Sequence, residues 1–155
     1  MAQPHIDTLD RKILTELQRN ARITVAELAR RIGLSKTPVA ARIKALEDSG
    51  VISAYRAILS PIRLGLTHIT YVEVKMEDTR EAALSRFNAA VKQIGEVEEC
   101  YMIAGGCDYL LKVRSVDMAD YRRIMSEHIS GLPFVHSTSS HVSMEAVVEQ
   151  SVIAL

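Results

Sequence analysis

Residues 24–50 read Thr24-Val25-Ala26-Glu27-Leu28-Ala29-Arg30-Arg31-Ile32-Gly33-Leu34-Ser35-Lys36-Thr37-Pro38-Val39-Ala40-Ala41-Arg42-Ile43-Lys44-Ala45-Leu46-Glu47-Asp48-Ser49-Gly50. Two helices joined by a short turn are legible in this stretch. Thr24 with Glu27 three positions on is the pattern of a capping box, in which each side chain meets an orphan N–H at a helix start. Leu28, Ala29 and Ile32 supply the inner face of that helix. Gly33 ends it, because a left-handed residue there carries no Cβ clash. Ser35 is placed to cap the next helix. Pro38 falls in its first turn, where a missing N–H does no harm. Val39, Ile43 and Leu46 form its inner stripe, and Gly50 stops it.

Upstream, Leu9, Ile13, Leu14 and Leu17 recur at spacings of three and four, one apolar face of a helix that Asp7 or Thr8 can cap. Asn20-Ala21-Arg22 breaks that pattern. Three short helices of this kind form a helix-turn-helix. The last of them has an outer face of Lys36, Thr37, Ala40, Ala41 and Lys44, with Arg42 at the edge of the buried stripe. These residues are short or cationic, and Glu47 and Asp48 appear only at the far end. Such a face enters a major groove and touches base edges and phosphates. Arg22, Arg30 and Arg31, on the neighbouring elements, are expected to hold phosphates, which positions a protein without reading sequence.

Downstream, Val51 to Leu59 alternates loosely and predicts a hinge strand, followed by Ser60-Pro61-Ile62-Arg63-Leu64-Gly65 as the break between domains. The period then changes. Strands are expected at His68–Met76, Val97–Ala104, Asp108–Arg114 and Phe134–Met144, with helices at Ala82–Ile94 and from Asp117 to about Ile129. The order βαββαβ is that of a ferredoxin-like sandwich, an antiparallel sheet with helices on one face. The other face is left for a second copy to cover. The fold class is therefore α+β: a winged-type helix-turn-helix domain (1–60, including the hinge strand) and a ferredoxin-like effector and assembly domain (61–155).

Composition agrees. Formal net charge is zero, yet residues 1–60 hold 10 Lys/Arg against 6 Asp/Glu and residues 61–155 hold 9 against 13. A basic half joined to an acidic half suits a DNA reader with a separate sensing domain. Apolar runs are too short for a spanning helix. The start, Met1-Ala2-Gln3-Pro4-His5-Ile6-Asp7, has neither a basic segment nor an apolar core of a secretory signal. The expected place is the cytoplasm, on the nucleoid, with Cys100 and Cys107 reduced.

No catalytic pair, phosphate loop or metal cluster stands out. His136 and His141 are five apart on a strand and so point to opposite faces. Cys107 has no cation beside it in sequence to activate the thiol. Gly105-Gly106-Cys107-Asp108 has two readings: a plain hairpin turn with an Asp cap, or a loop whose glycines let a ligand carboxylate approach backbone N–H groups while Asp108 meets its ammonium.

Leu9-Asp10-Arg11-Lys12-Ile13-Leu14, Leu28-Ala29, Gly33-Leu34-Ser35, Arg42-Ile43-Lys44-Ala45-Leu46-Glu47, Gly50-Val51-Ile52 and Tyr55 resemble the Lrp/AsnC, or feast/famine, family of prokaryotic regulators. Glu99-Cys100, Gly105, Asp108-Tyr109-Leu110-Leu111-Lys112, Leu132-Pro133 and Ser137-Thr138-Ser139 resemble its effector domain, known as RAM. The resemblance implies a homodimer that assembles into tetramers or octamers on promoter DNA. It implies no cofactor, but an amino-acid effector near Ala104–Tyr109. The expected DNA contacts are Arg22, Arg31, Ser35, Lys36, Thr37, Pro38, Ala40, Ala41, Arg42 and Lys44. The expected effector contacts are Tyr101, Ile103, Gly105, Gly106, Cys107, Asp108, Tyr109 and Thr138.

Two departures stand out: Gly106-Cys107 replaces a bulkier or charged residue, so leucine is not assumed as the ligand, and Phe134 replaces a common glycine. A metabolite-responsive regulator of amino-acid metabolism is the reading, with an architectural DNA-compacting protein as the alternative.

Overall fold

A computed structural model describes residues 4–149; the outer ends of the two expected domains, 1–3 and 150–155, lie outside them. Contacts gather the described residues up to Ile58 into one unit and Leu59–Val148 into a second.

The first unit holds α1 (Thr8–Arg19), α2 (Val25–Ile32) and α3 (Lys36–Asp48). Asp7 caps α1 in a full capping box: its carboxylate accepts from Asp10 N, and Asp10 returns the bond to Asp7 N. At α2 only half of the expected box forms. Thr24 accepts from Glu27 N, but the Glu27 carboxylate turns to Arg30 and Arg31 instead. A charge-assisted pair outweighs a return bond to a neutral N–H. Gly33 has φ 75° and closes α2 as expected. Ser35 occupies the cap position of α3, yet its side chain makes no capping bond. Ile13, Leu28 and Val39, one from each helix, are fully buried at the centre of the core, joined by Leu14, Ala29 and Leu46.

The expected hinge strand is not formed: residues 51–60 make no ladder. A strand exists by pairing, and among the described residues none lies alongside it. Tyr55 instead folds back, its hydroxyl donating to the Glu47 carboxylate at the end of α3 (2.8 Å).

The second unit begins with a short 3₁₀ turn at Ile62–Leu64 and continues as β1 (His68–Met76), α4 (Glu81–Val91), β2 (Val97–Met102), β3 (Tyr109–Ser115), α5 (Met118–Ile124) and β4 (Val135–Val142). The sheet order is β2-β3-β1-β4, all antiparallel. Alternation sends Val72, Val74, Leu111 and Val113 to the helix side, where they pack with Phe87, Val91, Tyr121 and Ile124.

The helix that starts at α5 widens into a π turn at Met125–Ile129. Ile124 and Ile129 are both fully buried, although residues five apart lie about 140° apart on an α-helix. The extra residue in the turn rotates Ile129 back to the core. The sheet's open face carries Tyr71, Glu73, Lys75, Lys112 and His141, with Lys112 paired to Glu98 (3.2 Å) and Glu99 (3.6 Å) and His141 to Glu73 (3.6 Å). A second copy laid on this face meets charge as well as carbon.

Phe134 has φ 62°, and no other described non-glycine residue has a positive φ. Its ring packs on the core and faces the Arg86 guanidinium at 5.8 Å. The position where glycine is common is thus left-handed, and Phe134 bears the strain in exchange for ring burial. Phe134→Ala keeps the strain and loses the ring, whereas Phe134→Gly loses both. The glycine variant is expected to be the more stable by about 1 kcal/mol. Urea midpoints decide this; an alanine variant as stable as the glycine one would show that the backbone is unstrained.

Candidate functional site

The exposed face of α3 is built as the spacing predicts. Lys36, Thr37, Pro38, Ala40, Ala41 and Lys44 are all exposed, while Val39 and Leu46 are buried behind them. The first turn holds no acidic residue, and the free Ser35 hydroxyl stands at the helix start, where N–H groups and the helix dipole favour an anion.

Arg42 does not belong to this face. It lies two residues from both Ala40 and Lys44, hence about 160° around the helix from each. Its Nη1 donates to Asp7 Oδ2 (2.8 Å) and Asp10 Oδ1 (2.7 Å) on α1. Arg31 is also engaged, with Glu16 of α1 (2.7 Å) and Glu27 (2.9 Å). Arg30 pairs with Glu27, whose carboxyl the two arginines hold down to about 2. Lys44 pairs with Asp48 at 2.9 Å, but both side chains are well exposed, and such a pair exchanges readily for a phosphate. Arg22 and Lys36 are exposed, and neither side chain has an ion-pair partner among the described residues.

The second candidate is the loop between β2 and β3. Asp108 serves the chain here: its Oδ2 accepts from Met76 N (2.7 Å), its N–H donates to Val74 O (2.9 Å) and its carbonyl accepts from Ile103 N (2.9 Å). Lys75 Nζ donates to Gly106 O (3.0 Å). Lys75 escaped the sequence reading, since an outward lysine on a strand carries no local signal. Neither Gly105 nor Gly106 has a positive φ, and a Cβ on either would meet nothing closer than Ile103 Cγ2, 3.7 Å from that of Gly105. The turn itself does not require these glycines.

Tyr109 is not a loop residue. It is 2% exposed on the helix side, its ring 4.4 Å from that of Phe87. Tyr101 pairs with Leu110 and is exposed on edge strand β2. Thr138 pairs with Val74, which separates it from Tyr109. Ile103 and Cys107 flank the loop half-buried. Burial pushes the Cys100 thiol up, away from reactivity.

Residues 69–153 match the Lrp/AsnC ligand binding domain, and residues 6–53 match a winged helix-turn-helix DNA-binding domain. The chain belongs to the Lrp/AsnC family. The Rhodobacter capsulatus "Proline dehydrogenase transcriptional activator" is 69% identical over 146 residues, covering 94% of this chain and 95% of the relative. A protein of the same description from Rhizobium radiobacter is 51% identical, covering 98% and 100%. A transcriptional regulator from Neisseria meningitidis, solved in complex with L-methionine, superposes with a TM-score of 0.90 at 30% identity, covering 97% of each chain. This Lrp/AsnC protein is accordingly a ligand-responsive DNA-binding transcriptional regulator with the α+β architecture expected, and not an enzyme. No helix among its described residues is long and apolar enough to cross a membrane.

Proposed function

We propose that this regulator activates a proline dehydrogenase gene and takes proline as its effector. The observation that carries the target is its 69% identity to the Rhodobacter capsulatus activator over nearly the full length of both chains. The target enzyme's substrate is the natural signal for making more of that enzyme.

Residues 1–60 read DNA. Thr37, Ala40 and Ala41 face base edges in the major groove, where the two alanines permit close approach. Lys36, Lys44, Arg22, the Ser35 hydroxyl and the N–H groups of the first turn of α3 hold phosphates, with Pro38, which has no N–H, beside them. Residues 61–155 bind effector and assemble copies into a dimer and then a tetramer or octamer. The effector lies against the loop of Ile103, Gly105, Gly106 and Cys107. Two glycines that the turn does not require leave room for a carboxylate to reach backbone N–H groups. Asp108 offers its other carboxylate oxygen to the ammonium. Tyr101 and Thr138 fit less readily, because they stand on opposite faces of the sheet. The protein works in the cytoplasm, on the nucleoid.

Fluorescence anisotropy tests this, on duplexes from upstream of the proline dehydrogenase gene and of the regulator's own gene. Random DNA is the competitor, at stated salt. Expected are survival against the competitor and a shift of affinity on adding proline, but not leucine or methionine. A shift with methionine instead would replace the effector. Equal competition by random DNA with no response to any amino acid would leave the architectural reading.

A further inference from the structure

The ion pairs that remove Arg42 from the DNA face form a closed arrangement. Asp7 Oδ1 accepts from Asp10 N (2.8 Å) and Asp10 Oδ2 from Asp7 N (3.1 Å). The two remaining carboxylate oxygens both accept from Arg42 Nη1, at 2.8 and 2.7 Å. Every carboxylate oxygen of the pair is used. Asp10 is only 9% exposed, while the side chains of Arg42 and Asp7 stay partly open to water, at 32% and 37%.

The apolar contacts of α3 run through Val39 and Leu46, with Ile43 half-buried beside them. Such contacts select which face of the helix turns inward, but the force behind them is non-directional, so the fine setting of its rotation falls to directional bonds. A guanidinium on two fixed carboxylates is directional. Rotation of α3 decides which of Thr37, Ala40, Ala41 and Lys44 faces a groove. Arg42 sits on the back of α3, and its anchor is the capped start of α1, itself held by hydrogen bonds.

We infer that Arg42 is a positioning residue for DNA reading: anchored by the Asp7–Asp10 capping box, it sets the rotation of α3 and touches no DNA. This rests on the reading of α3 as the groove helix.

The test measures affinity of the full chain for the upstream duplex and for random duplex across a salt series. The variants are Asp10→Asn, Arg42→Met, Arg42→Lys and, as controls on α3, Lys36→Ala and Thr37→Ala. Circular dichroism fixes a temperature at which each is fully folded. With the charge of Asp10 gone, α3 loosens. Affinity for the upstream duplex is expected to fall roughly five- to thirty-fold, with random-DNA affinity and the salt slope unchanged. Arg42→Met is expected to behave alike. Arg42→Lys recovers part of the loss, since one nitrogen makes both bonds. Lys36→Ala lowers the salt slope by about one.

A phosphate-contact role for Arg42 predicts the opposite sign. Asp10→Asn would free the guanidinium and raise affinity for both duplexes, and Arg42→Met would lower the slope by about one. That result overturns the inference while leaving the α3 reading intact. Parallel loss on both duplexes, tracking the melting temperature, also overturns it, since it marks a role in stability alone. Silence of Lys36→Ala and Thr37→Ala on both duplexes would defeat the α3 reading and this inference with it.

Discussion

Leu28→Ala is expected to unfold the helix-turn-helix unit and abolish DNA binding while the sheet unit stays folded. Leu28 is fully buried between Ile13 and Val39, and the core of this unit holds six buried residues. Truncating a buried leucine costs about 2–5 kcal/mol, the transfer loss plus the cavity. A single core of this size supplies no more than about 3–5 kcal/mol in all. The second unit has its own core of twelve buried residues. Calorimetry of the full chain should therefore show the helical transition lost or moved below room temperature and the other transition in place, with amino-acid binding retained. If both transitions fall together, the two units fold as one and the separate cores are not independent.

Asp108→Asn is expected to abolish the response to proline, with DNA affinity in its absence unchanged. The asparagine side-chain oxygen still accepts the Met76 N–H that Asp108 now holds at 2.7 Å, so the end of β1 stays sealed. What is lost is the charge, and with it the partner for the effector's ammonium. Asp108→Ala makes the contrast. It leaves the N–H of Met76, a buried residue, without an acceptor and costs about 1–2 kcal/mol of stability in addition. Anisotropy with and without proline measures the first effect and urea denaturation the second. An Asp108→Asn protein that responds to proline as before would reduce Asp108 to a turn residue, and the ligand would have to be sought elsewhere on the second unit.

Much of the fold was legible in residue order. The apolar periods placed all three helices of the first unit, and alternation placed β1 at His68–Met76, the bounds observed. Even the order βαββαβ could be read, because each element declares its period within its own length. The Val51–Leu59 strand failed because alternation is a local signal, whereas a strand needs a neighbour. The π turn failed because nothing short of the core's shape asks Ile124 and Ile129 to share a face. Site residues divide the same way. Lys36, Thr37, Ala40, Ala41 and Lys44 follow from the helical period. Arg42 lies at the edge of the buried stripe, and from that place the helical period does not distinguish a cation that points to DNA from one that turns back to the carboxylates of Asp7 and Asp10. Tyr109, beside a glycine loop, passes for a ligand contact until β3 turns it toward Phe87.

The sequence by itself determined the two-part plan, the helical and strand periods, the glycine stop of α2 and the exposed chemistry of α3, all set by interactions that reach four residues or fewer. Tertiary structure alone decided what each charged group does. Asp7 and Asp10 lie 35 and 32 residues from Arg42, and Met76 lies 32 from Asp108. Hydrogen bonds of this kind act over about 3 Å. Only the folded chain brings such partners within that range, and only there does a charge become either a contact for DNA or ligand or part of the frame that aims one.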